Sequence, residues 1–204
     1  MIRVLVADDH AIVRDGIARL IRTQSDMQLI AEASDGREAV EQFRNHRPDV
    51  TLMDLQMPNM TGIDAVHAVR SEFPDARIII LTMYAGDVQV KQALQAGAFG
   101  YLLKGSLRKE LLDMVRAVHG GQKRLSPEIA AEIAEHVMDA VLTPREISVL
   151  KLIASGHANK EIAVQLHISE ESVKGYVKNI LFKLDANDRT HAAIIGLKRG
   201  IIDL

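Results

Sequence analysis

Val50-Thr51-Leu52-Met53-Asp54 is an apolar run that stops on a carboxylate, with Leu55-Gln56-Met57-Pro58 following it. Three similar runs lie on either side. Val4 to Ala7 stops on Asp8-Asp9, Ile78 to Leu81 stops on Thr82, and Gly100 to Leu103 stops on Lys104. Segments built almost wholly of Val, Ile and Leu are buried on both faces, as in a parallel sheet covered by helices. The intervening stretches carry apolar residues at helical spacing, for example Ile12, Ile17, Leu20 and Ile21, or Ala65, Val66 and Val69. Alternating β and α segments of this length predict an α/β domain, a doubly wound five-stranded parallel sheet over residues 1–119. The strands are expected at 2–7, 28–33, 50–54, 78–82 and 100–103. Ligands of such sheets bind beyond the carboxyl ends of the strands, at a topological switch point. Asp8, Asp9, Asp54, Thr82 and Lys104 are therefore expected to converge on one edge.

Those residue types suit a phosphoryl group and a hard cation. A carboxylate accepts a phosphoryl group when a cation neutralises the charge on the transferring oxygens. Mg²⁺ takes oxygen ligands and keeps several of its waters, so a few protein ligands suffice. The expected set is Asp9, Asp54 and the Gln56 backbone carbonyl, with Asp8 acting through water. Lys104 would pair with one phosphoryl oxygen and the Thr82 hydroxyl would donate to another. His10 lies just beyond the acidic pair and is expected to start the first helix. Each residue alone has a commoner explanation in packing or capping; the recurrence at four strand ends is the signal.

The stretches VLVADDH, MDLQMP, ILT and GYLLK resemble the receiver domain of two-component response regulators. The resemblance covers residues 1–119 and implies a flavodoxin-like fold in which Asp54 accepts a phosphoryl group from a sensor histidine kinase. It further implies that Thr82 and Lys104 sense the phosphate. Tyr101 falls at an aromatic switch position, expected to turn inward once Thr82 is drawn to the phosphoryl group.

Composition sets the outer bounds. The chain has 204 residues, 48% of them apolar and 25% charged, which is ordinary for a globular protein of one large or two small domains. It has no cysteine, which excludes disulfides, thiolate metal sites and cysteine nucleophiles. No apolar run approaches the roughly 18–20 residues that cross a bilayer, so no membrane partner is expected. Met1-Ile2-Arg3-Val4 passes straight into a strand-like run, and a cytoplasmic location is the expectation. The net charge of −2 divides unevenly: Lys+Arg against Asp+Glu is 14 to 16 over residues 1–119, 2 to 4 over 120–141 and 9 to 7 over 142–204. That last excess permits nucleic-acid contact without establishing it.

The pattern changes after Gly120-Gly121. Residues 120–141 read as a linker with a short helix opened by Ser126-Pro127-Glu128 and carrying Ile129, Ile133, Val137 and Met138. Thr143-Pro144-Arg145-Glu146 is a capping box with proline at the first helical position. Helices are expected over 144–154, 160–166, 170–184 and 189–199, making residues 142–204 a smaller all-α domain. The second and third, joined by His167-Ile168-Ser169, have helix-turn-helix proportions. Ser169 suits the N-cap, and Val173, Val177, Ile180, Leu181 and Leu184 form a core stripe that leaves Lys174, Gly175 and Lys178 facing outward.

The stretch LTPREISVLKLIASGHANKEIAVQLHISEESVKGYVKNILFKLDANDRT, from Leu142, resembles through about residue 200 the LuxR-type DNA-binding domain that closes NarL/FixJ response regulators. The resemblance places Lys174, Gly175 and Lys178 at the major groove of double-stranded promoter DNA. Asn159, Lys160, Ser169 and Ser172 fall at phosphate or positioning contacts. Tyr176 stands where the family commonly has histidine, and Gly175 where it commonly has a larger side chain. The last helix carries Ala192, Ala193, Ile194, Ile195 and Leu197, most of which are expected to bury against the preceding helices, and the resemblance implies that the remainder pairs with a second copy. The whole reads as a phosphorylation-activated transcription regulator, Mg²⁺-dependent at Asp54, acting as a homodimer on DNA and not as a multiple-turnover enzyme. Two alternatives belong to other classes. One is a constitutive DNA-binding protein with a structural receiver. The other is an aspartyl-nucleophile phosphatase, which needs a second acid two residues after the nucleophile, where this chain has Gln56.

Overall fold

The computed structural model describes residues 1–83, 86–105, 108–136 and 139–203. It divides into two compact units, Met1–Ala85 with Val90–Ala130, and Gly86–Gln89 with Ala131–Leu204.

The first unit is built on the strands β1 (Ile2–Ala7), β2 (Met27–Ala33), β3 (Val50–Asp54), β4 (Ile78–Thr82), β5 (Gly100–Leu103) and β6 (Arg124–Leu125). They are parallel and lie in the order β2-β1-β3-β4-β5-β6. Every residue of β3 and β4 is buried, which explains their unbroken apolar sequences. Five helices complete this fold: α1 (Ala11–Arg22), α2 (Gly36–His46), α3 (Gly62–Glu72), α4 (Asp87–Ala96) and α5 (Arg108–His119). One face of the sheet, carrying Val4, Val6, Leu52, Ile79, Leu81 and Leu102, packs with Ile21 of α1 and Leu111, Met114, Val115 and Val118 of α5. Short polar residues set the helix starts: Asp35 accepts from the Glu38 amide at 2.8 Å and Thr61 from the Asp64 amide at 3.2 Å.

The sheet has six strands, not the five expected. Arg124-Leu125 is too short to show a periodicity, and it is held by the backbone alone. The Arg124 amide donates to the Phe99 carbonyl at 2.9 Å and the Ser126 amide to the Tyr101 carbonyl at 3.2 Å. This short strand carries the first unit beyond residue 119, into the stretch read from sequence as linker. The expected linker helix is α6 (Pro127–Glu135), whose Ile129 is fully buried. Val137 and Met138 lie outside the described residues.

The second unit contains α7 (Pro144–Ala154), α8 (Asn159–Leu166), α9 (Glu170–Lys183) and α10 (Arg189–Lys198). Its core joins Leu142, Val149, Leu150 and Ile153 to Ile162, Val173, Ile180, Leu184 and Ala192. The expected capping box at Thr143–Glu146 is present, and the buried Glu146 carboxylate also pairs with Lys183 at 2.7 Å. Between α8 and α9, His167 turns left-handed at φ 53° and the Ile168 amide closes on the Ala163 carbonyl at 3.0 Å. Ser169 then caps α9, accepting from the Ser172 amide at 3.1 Å. Helix α8 begins one residue earlier than expected, because Glu161 accepts from the Ala158 amide at 2.7 Å and Asn159 is already helical. No helix among the described residues is long and apolar enough to cross a membrane.

Candidate functional site

The strand order reverses between β1 and β3, so the chain leaves these neighbours in opposite directions and opens a crevice at their carboxyl ends. Asp54 ends β3 and Asp8 follows β1, whose register sets Ala7 beside Met53. The next pair in the sheet brings Thr82 beside Leu103, and the Lys104 amide donates to the Thr82 carbonyl at 2.7 Å. Four of the five residues read from strand ends are thereby fixed by sheet register alone.

Their side chains meet. The Lys104 Nζ lies 2.7 Å from Asp54 Oδ2 and 2.9 Å from Asp8 Oδ2, with all three side chains at most 5% exposed. The fully buried Asp8 Oδ2 thus has the Lys104 ammonium as its charged partner. Asp9 is partly exposed beside it. Donor atoms of Asp8, Asp9, His10 and Asp54 all lie within 4.8 Å of one another. Oxygens dominate that set, and clustered carboxylate oxygens fit a hard divalent cation better than a softer one. Gln56 is exposed two residues beyond Asp54, and its amide approaches Asp54 Oδ1 at 3.4 Å.

Electrostatics follow from burial. Burial pushes the Asp54 carboxyl up to about 6, with Asp8 adding to the rise and Lys104 opposing it. For Lys104, burial works against the charge, but Asp54 and Asp8 outweigh it and hold the ammonium above its ordinary range. Tyr101 is fully buried, and burial raises its hydroxyl as well. The inward position expected of Tyr101 after phosphoryl transfer is thus the one the structure already holds. The Thr82 side chain lies against this hydroxyl and opposes the rise.

Of two further contributors, His10 was read from sequence only as a helix start, and Gly62 escaped that reading. His10 precedes α1 as expected, yet its ring also turns back, with Nδ1 2.7 Å from Asp9 Oδ1. Gly62 opens α3 directly against the end of β3: a Cβ there would collide with the Asp54 carbonyl oxygen, and the Gly62 amide donates to the Leu55 carbonyl at 2.9 Å. The signal was the Thr61-Gly62-Ile63-Asp64 cap, which marks a helix start too near Asp54 for a side chain.

In the second unit, Lys160, Ser169, Ser172, Lys174, Gly175 and Lys178 are exposed and Asn159 is half-buried. The Ser169 hydroxyl is engaged with Ser172 at 2.8 Å, and Lys174 lies 3.2 Å from Glu171. Tyr176 packs against the core of this unit, so it faces away from the lysines. On α10, Ala192 and Ala193 are buried whereas Ile194 and Leu197 remain 45% and 36% exposed.

Known proteins share both halves. Residues 4–116 match the response regulator receiver domain, and residues 140–195 match the bacterial regulatory proteins of the luxR family. The transcriptional regulatory protein LiaR of Bacillus subtilis is 40% identical over 100% of both chains. The response regulator protein VraR of Staphylococcus aureus is 37% identical over 98% of this chain and 99% of its own. A LuxR-family two-component response regulator from Aurantimonas sp. superposes with a TM-score of 0.66 at 40% identity, over 68% of this chain and 99% of that one. The RcsB–DNA complex gives a TM-score of 0.73 at 25% identity, over 97% and 98% of the two chains. With a receiver in front and a LuxR-type helix-turn-helix behind, this chain belongs to the two-component response regulators of the NarL/LuxR family, which regulate transcription.

Proposed function

We propose that Asp54 accepts a phosphoryl group from a sensor histidine kinase and that this modification governs promoter binding by the second unit. The observation that carries the proposal is the Asp8–Lys104–Asp54 cluster, a buried ammonium held between two buried carboxylates at the switch point of the sheet. An Asp54 oxygen attacks phosphorus and a P–O bond forms. The P–N bond of the phosphohistidine breaks, and its electron pair returns to the imidazole. With its pKa near 6, Asp54 is mostly ionised at neutral pH and remains a nucleophile. Lys104 has its charge fixed by the two acids and is placed to follow a phosphoryl oxygen; the Thr82 hydroxyl is assigned to another. Asp8, Asp9, Asp54 and the Gln56 carbonyl would hold Mg²⁺, which when bound supplies the charge neutralisation that a phosphoryl group needs beside three acids.

The output is assigned to α9, with Lys174, Gly175 and Lys178 at the major groove and Asn159, Lys160, Ser169 and Ser172 at phosphates. The exposed Ile194 and Leu197 of α10 give a second copy an apolar patch to cover. Such pairing would match the two-fold symmetry of paired half-sites.

Incubation with acetyl phosphate and Mg²⁺ tests the input, read by intact mass. The wild-type chain is expected to gain one phosphoryl group and Asp54→Asn none. Labelling retained in Asp54→Asn overturns the assignment. Promoter-fragment binding and mass in solution, measured with and without beryllofluoride, test whether the input reaches the output.

A further inference from the structure

The outward face of α9 carries a residue that neither lysine explains. Phe182 is 85% exposed, in a chain with four phenylalanines in all. Side chains three and four apart share a helix face. Glu171, Lys174, Gly175, Lys178 and Phe182 follow that spacing, and all are exposed. Val173, Ile180 and Leu184, the buried stripe, lie on the opposite side. Phe182 therefore stands near the centre of the outward face, four residues beyond Lys178, with Asn179 exposed beside it.

Among the described residues Lys178 makes no ion pair, so its charge is available to a polyanion. Double-stranded DNA meets the same face with opposite charge. The eight steps along the helix from Lys174 to Phe182 rise about 12 Å, comparable to the width of the major groove. A helix lying along the groove would carry Phe182 roughly three to four base pairs beyond the one beneath Lys174. The one apolar group that base edges offer in that groove is the thymine C5-methyl, which aromatic and methyl side chains read. Gly175 helps the approach, because nothing occupies the space where its Cβ would stand.

We infer that Phe182 is a specificity residue that reads a thymine methyl in the major groove, an inference that rests on the DNA-binding reading above. Burying one methyl group is worth about fourfold in affinity.

The test uses the full-length chain with beryllofluoride and Mg²⁺. A preferred site is first selected from random-sequence duplexes. Each thymine of that site is then replaced in turn by deoxyuridine, which deletes only the methyl, and affinities are measured for wild type and Phe182→Ala. At one thymine per half-site the replacement is expected to weaken wild type about fourfold and leave Phe182→Ala unchanged. Because Phe182 is exposed, the variant should keep its fold, which circular dichroism checks. If every replacement affects both proteins equally, the inference is overturned although DNA binding stands. If Phe182→Ala instead lowers the mass in solution with thymine discrimination intact, the face holds a second copy and the inference is likewise overturned. If wild type selects no duplex at all, the DNA-binding reading fails, and this inference with it.

Discussion

Replacing Asp54 by Asn should stabilise the receiver, and by an amount that depends on pH. Burial, reinforced by Asp8, raises the Asp54 pKa from 3.8 to about 6 despite the pull of Lys104. A raised folded-state pKa means that folding favours the protonated acid. The stability is fully present below about 3.8 and is lost as pH rises through about 6. Converted to free energy, the rise is about 3 kcal/mol once Asp54 is fully ionised. Asn has the shape of the protonated acid and no charge to bury. Asp54→Asn should therefore exceed wild type by about 1.5 kcal/mol at pH 5 and by about 3 kcal/mol at pH 7.5. Hydrogen exchange in graded urea, read on the β3 and β4 peptides with a chelator present, reports the local free energy. Millimolar Mg²⁺ should narrow the gap by stabilising the wild type alone. A variant less stable than wild type at pH 7.5, or a gap that does not change with pH, would refute the reasoning. Either result would mean that the attraction to Lys104 outweighs burial.

Three further outcomes are expected. Gly62→Ala drives a methyl into the Asp54 carbonyl, so it should destabilise the receiver by about 2 kcal/mol and slow labelling by acetyl phosphate, both measurable on one preparation. Glu146→Gln weakens the pair with Lys183 and the Thr143 cap, lowering stability of the second unit by about 2 kcal/mol in thermal unfolding. Burial works against the Glu146 charge, but Lys183 and Thr143 hold its pKa below the ordinary 4.5, so this loss should shrink as pH falls below that value. Gly175→Ala adds a Cβ into open space within α9, which should stabilise that helix by about 0.5–1 kcal/mol. The same variant should weaken duplex binding if backbone approach to DNA matters at that position.

The change of pattern was legible because the first part alternates β-rich runs with helically spaced segments, whereas the last part carries helical spacing alone. Parallel strands buried on both faces leave unbroken Val/Ile/Leu runs, so their ends, and the polar residues stationed there, stand out in sequence. Asp8, Asp54 and Lys104 could thus be placed together before any coordinates, since sheet register does the rest. What escaped notice depends on backbone or on shape. The two-residue β6 has no side-chain signature, because its pairing uses amides and carbonyls alone. Gly62 matters through the atoms it lacks. The switch role of Tyr101 was only an implication of the resemblance, and its full burial is decided by packing around β5. Tyr176 stood out in sequence as a departure from the family's usual histidine, but its packing against the core of the second unit had no signal there.

The brief pairing of β6 with β5 has a practical consequence for dissecting the chain. A receiver cut at residue 119 would lose Arg124-Leu125 and bare the edge of Gly100-Tyr101-Leu102-Leu103, an apolar strand with unsatisfied amides and carbonyls. Open edges of that kind template sheet-to-sheet association. A fragment ending at residue 130 retains both the cover strand and Ile129. It is the better starting point for isolating the phosphoacceptor half, while the shorter fragment should precipitate for reasons unrelated to signalling.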